Sequence, residues 1–183
     1  MKIILGITGA SGAIYAKRLI QHLEKNQEKF SELSIIFTEA GRKVWNFEVN
    51  DLKISDLPFS VYENENLFAP MASGTAGYDT MIVCPCSMGT MAKIANGIAD
   101  NLLTRSADVM LKENKNLIIV PRETPLNAIH INNMYKLTQS GAKICPAMPS
   151  FYSKPQTINS LVDTVIQKIF ALAKIDIKFF DWK

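Results

Sequence analysis

Short, almost wholly apolar runs alternate along the chain with segments whose apolar residues recur every three or four positions. Ile3-Ile4-Leu5-Gly6-Ile7, Leu33-Ser34-Ile35-Ile36-Phe37, Thr80-Met81-Ile82-Val83-Cys84 and Asn116-Leu117-Ile118-Ile119-Val120 read as buried strands. Shorter strand signals lie at 59–62 and at Lys143-Ile144-Cys145. Between them the period lengthens to that of a helix. From about Gly12, the residues Ala16, Leu19, Ile20 and Leu23 share one face. Further helices are expected over about 39–47, 87–96, 101–113 and 128–139, the last stopped by Gly141. The clearest is the C-terminal one over 157–173. Thr157 stands as its N-cap, and Ile158, Leu161, Val162, Val165, Ile166, Ile169 and Leu172 fall at helical spacing. The stretch 50–78 has no long period and holds Pro58, Pro70, Gly74 and Gly77, so it reads mostly as loop; a loop of that length inside a domain is usually functional.

Apolar strands alternating with helices imply a parallel sheet covered on both faces. The expected fold is one doubly wound α/β domain, Rossmann-like, spanning 1–183, with its ligand at the carboxyl ends of the strands. Composition agrees: 183 residues with 48% hydrophobic content suit one sizeable core and exclude disorder. The charge of +3 is too small to imply a nucleic-acid partner and suits at most small anionic ligands, and no apolar run reaches membrane-spanning length. The N-terminus runs straight into a strand, and the three cysteines have no disulfide or zinc-knuckle spacing. The expectation is therefore a reduced, cytoplasmic protein.

Chemistry-bearing residues gather where strands end. Gly6-Ile7-Thr8-Gly9-Ala10-Ser11-Gly12 is a strand-to-helix turn with glycines that let a ligand approach the backbone. Its spacing is neither G-x-G-x-x-G nor a P-loop. Cys84-Pro85-Cys86-Ser87-Met88-Gly89-Thr90 is a second such turn, with hydroxyls at Ser87 and Thr90 suited to helix capping or to a phosphate. Arg105 and Lys112 lie seven residues apart on one helix with Asp108 between them. Arg122-Glu123 follows a strand between two prolines; Arg122 can hold an anion, and Glu123 either acts as an acid or pairs with a cation. Tyr152 follows another strand and either presents its phenol to a phosphate or packs as an aromatic. His22 and His130 sit within helices, away from strand ends, and read as structural or surface groups.

Six segments in order carry a family resemblance. They are Thr8-Gly9-Ala10-Ser11-Gly12-Ala13, Cys84-Pro85-Cys86-Ser87, Leu103-Thr104-Arg105-Ser106-Ala107-Asp108-Val109, Leu111-Lys112-Glu113, Val120-Pro121-Arg122-Glu123-Thr124-Pro125 and Pro149-Ser150-Phe151-Tyr152. Together they resemble the UbiX-type flavin prenyltransferases over residues 3 to about 172. The resemblance implies a flavodoxin-like fold, a homododecamer built from trimers, and no metal. It implies transfer of a dimethylallyl group from dimethylallyl phosphate to reduced FMN at N5 and C6. The product, prenylated FMN, would serve a UbiD-type decarboxylase.

Carried over by position, Gly9, Ala10, Ser11, Thr38, Ser87, Met88, Gly89, Thr90 and Arg122 would contact FMN. Arg105, Lys112, Arg122, Glu123, Tyr152 and Lys168 would surround the donor. Catalysis would fall to Ser11, Glu48, Glu123 and Lys112. Glu123 would protonate the departing phosphate, and Ser11 with Glu48 would relay the proton lost from the flavin. Two departures are Leu67-Phe68, where some members carry Trp, and Lys168, where some carry Arg. The alternatives are an FMN-dependent cysteine decarboxylase and a non-catalytic flavin-binding protein. The former carries Asn in its counterpart of the 85–90 segment and a His after the second strand; this chain has neither, since no His lies between His22 and His130. The aromatic tail after residue 174 is expected to cover its own core or to dock on a neighbour.

Overall fold

The computed structural model describes residues 1–177. Six strands, β1 (Lys2–Ile7), β2 (Glu32–Phe37), β3 (Ser60–Glu63), β4 (Thr80–Cys86), β5 (Asn116–Pro121) and β6 (Lys143–Ile144), form one sheet in the order β3-β2-β1-β4-β5-β6. All five pairings are parallel. Each expected strand is present. Six helices cover the faces: α1 (Ala13–Glu24), α2 (Glu39–Glu48), α3 (Met88–Ala95), α4 (Leu102–Lys112), α5 (Ala128–Gln139) and α6 (Ile158–Ala173). This is the doubly wound Rossmann order.

Alternation along the strands sorts the core into two layers. Ile3, Leu5 and Ile7 point to the side of α1 and α6, where they meet Leu19, Leu23, Ile166 and Phe170. Ile4, Met81 and Val83 point to the other side, against Leu103, Met110 and Leu137. Ile175 and Ile177 extend the first layer beyond α6. The aromatic part of the tail, Phe179, Phe180 and Trp182, lies outside the described residues.

Two strands run further than their prolines suggest. β4 continues through Pro85 to Cys86, with a register irregularity after Val83, and Cys86 pairs with Pro121. The carbonyls keep the edge paired: Pro85 accepts from Thr8 N, and Cys86 accepts from Arg122 N. A proline loses only its donor, so a ladder carried by carbonyls survives it. The stretch 50–78 is less open than expected. Besides β3 it holds 3-10 turns at Ile54–Asp56, Pro70–Ala72 and Gly74–Ala76, and it buries Ala69, Met71 and Tyr78 in the second layer. Among the described residues no helix is long and apolar enough to cross a membrane.

The chain builds outward from β1 in one direction, then returns and builds from β4 in the other. The helices that follow β1 and β4 therefore leave the sheet on opposite faces, opening a crevice at the carboxyl ends of these two strands.

Candidate active site

Thr8 holds the floor of this crevice. Its Oγ1 donates to the Pro85 carbonyl at 2.7 Å and accepts from Ser87 N at 2.8 Å, so the turn after β1 is tied to the turn after β4. Gly9 follows. A Cβ there would lie 2.5 Å from the Ala40 methyl, so only glycine lets α2 approach this closely. Gly12 has φ 101°, in the left-handed region, and offers no side-chain cap to α1.

Glu48, at the far end of α2, supplies that cap instead. Its Oε2 accepts from Gly12 N and Ala13 N, both at 2.8 Å, and the nearby Ser11 hydroxyl favours its charged form. Burial pushes the Glu48 carboxyl up. The hydrogen bonds from Ser11, Ala13 and Gly12, together with the Arg122 charge, outweigh that and hold it below the usual carboxylate range. Arg122 joins the group by donating Nε–H to the Ser11 carbonyl at 2.9 Å. Ser11, Glu48 and Arg122, from three separate elements, are thus one cluster.

Near them lies a cavity of about 490 Å³, whose lining includes Gly9, Thr38, Asn64, Ser87, Gly89 and Thr90. Thr38, Ser87 and Asn101 are the N-caps of α2, α3 and α4, accepting from Gly41 N, Thr90 N and Thr104 N at 3.0, 3.3 and 3.0 Å. The Ser87 hydroxyl also donates to Thr90 Oγ1 at 3.1 Å. Ala10 is buried, and the Met88 side chain belongs to the second core layer, which leaves only its main chain to meet a ligand.

The remaining candidates stand in separate groups. Arg105 donates Nε–H to the Ala72 carbonyl at 3.2 Å and pairs with Asp108 at 2.8 Å. Lys112 pairs with Glu113, whose carboxylate lies against Gly74. These two cations therefore form an edge with the 70–76 turns. Glu123 is exposed and accepts from Thr124 N at 3.0 Å. Tyr152 is 78% exposed. Lys168 borders a second cavity of about 380 Å³ with Cys145, Met148 and Ser150. Burial raises the Cys145 thiol, and the nearby Lys168 charge opposes that. Cys84 and Cys86 are buried, and burial raises both thiols well above their ordinary value, which leaves them protonated and unsuited to nucleophilic work.

Sequence reasoning missed Thr8 as a tie, and Asn64, Lys93, Asn101 and Thr104 as cavity walls. Asn101 was findable: it precedes an amphipathic helix by one residue, the position of an N-cap. Asn64 lies in an aperiodic stretch, and Lys93 reads as a solvated helical charge.

A flavoprotein family model matches residues 1–170. The flavin prenyltransferase UbiX of Methanocaldococcus jannaschii is 43% identical over 182 residues, 98% of this chain and 97% of that one. Among solved structures, a dodecameric FMN-dependent UbiX-like decarboxylase from Escherichia coli O157:H7 matches with TM-score 0.94 and 34% identity over the whole of both chains. AnUbiX (PadA1), solved with FMN and dimethylallyl pyrophosphate, matches with TM-score 0.91 and 34% identity over 100% of this chain and 98% of that one. The full-length kinship and the crevice between β1 and β4 agree, and the chain belongs to the UbiX flavin prenyltransferases.

Proposed function

We propose that this protein transfers the dimethylallyl group of dimethylallyl phosphate to reduced FMN, at N5 and C6, making prenylated FMN for a UbiD-type decarboxylase. The observation that carries this reading is the Ser11–Glu48–Arg122 cluster beside a cavity lined with hydroxyls and helix N-termini. These residues fit FMN. Gly9 leaves the backbone open to close approach, Thr38, Ser87 and Thr90 offer hydroxyls to a polyol chain, and Arg122 brings positive charge beside Ser11. When bound, reduced FMN supplies the electron-rich ring that is alkylated.

The chain's own residues handle charge and protons. Arg122, with Arg105, Lys112, Tyr152 and Lys168, offsets the anionic charge that grows on the phosphate as its C–O bond breaks. Glu123 gives that phosphate a proton. Ser11, whose hydroxyl lies near the Glu48 carboxylate, passes the proton lost from the flavin to that carboxylate.

Within one chain Arg105 and Lys112 contact the 70–76 turns, Arg122 contacts Ser11, Glu123 contacts Thr124, and Lys168 borders a different cavity. Neighbouring copies complete the site, and the expected assembly is a dodecamer of trimers. Exposed apolar side chains available to it include Ile129, Ile131 and Tyr135 on α5, with Met148 and Phe151 nearby in sequence. The three free, buried thiols suit a cytoplasmic setting.

Anaerobic incubation with reduced FMN and dimethylallyl phosphate tests the reading. The flavin product should gain the mass of one dimethylallyl group. Release of carbon dioxide from a cysteine conjugate instead would select the decarboxylase reading, and flavin binding without either product would select the non-catalytic one.

A further inference from the structure

The register of β1 on β4 runs from Ile3 opposite Thr80 to Gly6 opposite Val83. From Val83 to Cys86 the pairing of β4 with β5 is irregular as well. Here the sheet ladder gives way to Thr8 in joining the turn after β1 to the turn after β4. Thr8 is 1% exposed. Its N–H donates to the Pro85 carbonyl at 3.3 Å, its hydroxyl donates to the same carbonyl at 2.7 Å, and its oxygen accepts from Ser87 N at 2.8 Å. The hydroxyl therefore makes the two shorter of three bonds across the gap.

A second link closes a ring. Arg122 donates its N–H to the Cys86 carbonyl at 3.2 Å and its Nε–H to the Ser11 carbonyl at 2.9 Å. Ser11 stands three residues beyond Thr8. On the other turn, the residue whose N–H Thr8 holds is the N-cap of α3, and its hydroxyl donates to Thr90 Oγ1 at 3.1 Å. Thr8 thus joins the turn that carries the Ser11–Glu48 pair to the turn that carries the Ser87–Thr90 hydroxyls.

A ring held between two turns keeps its contacts with each even when the turns drift slightly apart. A proton passing from that ring to a group on one turn is less tolerant. It needs hydrogen-bond reach, and a misplacement of about 1 Å can cost about a hundredfold in rate. Resting on the prenyltransferase reading above, we propose that Thr8 is a positioning residue for the loss of the flavin proton: its hydroxyl sets the distance from the Ser87–Thr90 wall to Ser11.

Single-turnover formation of prenylated FMN, beside flavin titration, tests this on the full chain. Thr8→Val replaces the hydroxyl with a methyl and removes both of its bonds. It should slow the reaction about tenfold or more and weaken FMN by no more than about threefold. Thr8→Ser keeps both bonds and should stay within about threefold of the native rate. Thr8→Cys, a weaker donor and acceptor, should fall between them. If the valine variant does not fold, equal rates for the serine and cysteine variants would overturn the proposal. A valine variant with a lowered Tm but a native rate would make Thr8 purely structural and overturn it too. So would a loss of FMN affinity as large as the loss of rate. A double variant tests the route through Ser11. Added to Ser11→Ala, Thr8→Val should slow the reaction by less than about threefold more, since no hydroxyl is left to misplace. Two losses that multiply in full would overturn the proposal. Failure of the native protein to make prenylated FMN would remove the prenyltransferase reading, and this inference with it.

Discussion

Glu123 and Gly9 show how much one residue can decide. Glu123 is exposed, and among the described residues the one hydrogen bond it accepts comes from the next residue's backbone, so Glu123→Gln changes little of the fold. It should slow prenylated-flavin formation far more than it weakens FMN binding, measured by single-turnover product analysis beside flavin titration. Unchanged turnover would remove its role as the acid. Gly9→Ala acts through packing. The new methyl would overlap Ala40, so α2 must shift, at a cost of about 1–3 kcal/mol. A lowered Tm together with weaker FMN binding is expected. Gly9, Ser11, Ser87 and Arg122 were legible from the chain because each follows a buried strand, and strand ends are where α/β sheets expose chemistry. Asn64 and Lys93 were not, because only the packing of the chain brings them to the wall of the cavity.

At the scale of elements, all six strands and six helices follow from hydrophobic period, since burial on both faces of a parallel sheet leaves long apolar runs. The ends at Pro85 and Pro121 were misplaced because the ladder there is carried by carbonyls, which prolines keep. What holds α6 to α1 was also hidden. Arg18 on α1 grips Asp163 on α6 through Nε at 2.9 Å and Nη2 at 2.6 Å, with His22 Nε2 3.1 Å from the same carboxylate. Burial raises the Asp163 carboxyl, but hydrogen bonds from His22 and Arg18 and their charges bring it below its ordinary 3.8. A depressed carboxyl stabilises the fold fully above its unfolded value and loses that contribution as the pH falls through the folded one. Asp163→Asn should therefore lower Tm near neutrality, by the equivalent of about 1–3 kcal/mol for a partly buried pair. The gap between variant and native Tm should close as the pH drops below about 4. A gap that stays constant down to pH 2 would show that the pair contributes nothing through its charge.

For the molecule as a whole, the placement of cations has a consequence for activity. Spacing on a helix could say that Arg105 and Lys112 share a face, but not that their partners would be the 70–76 turns while Arg122 turns to Ser11. If copies complete one another's sites, two crippled chains can repair each other. Glu123→Gln and Lys168→Ala oligomers, each inactive or slow alone, should regain a fraction of native turnover after dissociation and mixed reassembly, because some sites then draw both intact residues. Absence of recovery in verified mixed oligomers would place both residues of each site on one chain.

Glu48 carries a kinetic consequence of its position. The same carboxylate oxygen that Gly12 and Ala13 use to finish α1 belongs to the group that Ser11's hydroxyl helps to keep charged. A proton resting there would weaken the anchor of a twelve-residue helix at the crevice floor. The anionic form is the one the scaffold favours, and the carboxylate is open to water. In the proposed reaction Glu48 would thus be a relay that cannot store what it receives: a proton taken from the flavin would be driven on to solvent, and the group reset for the next turnover without a dedicated step.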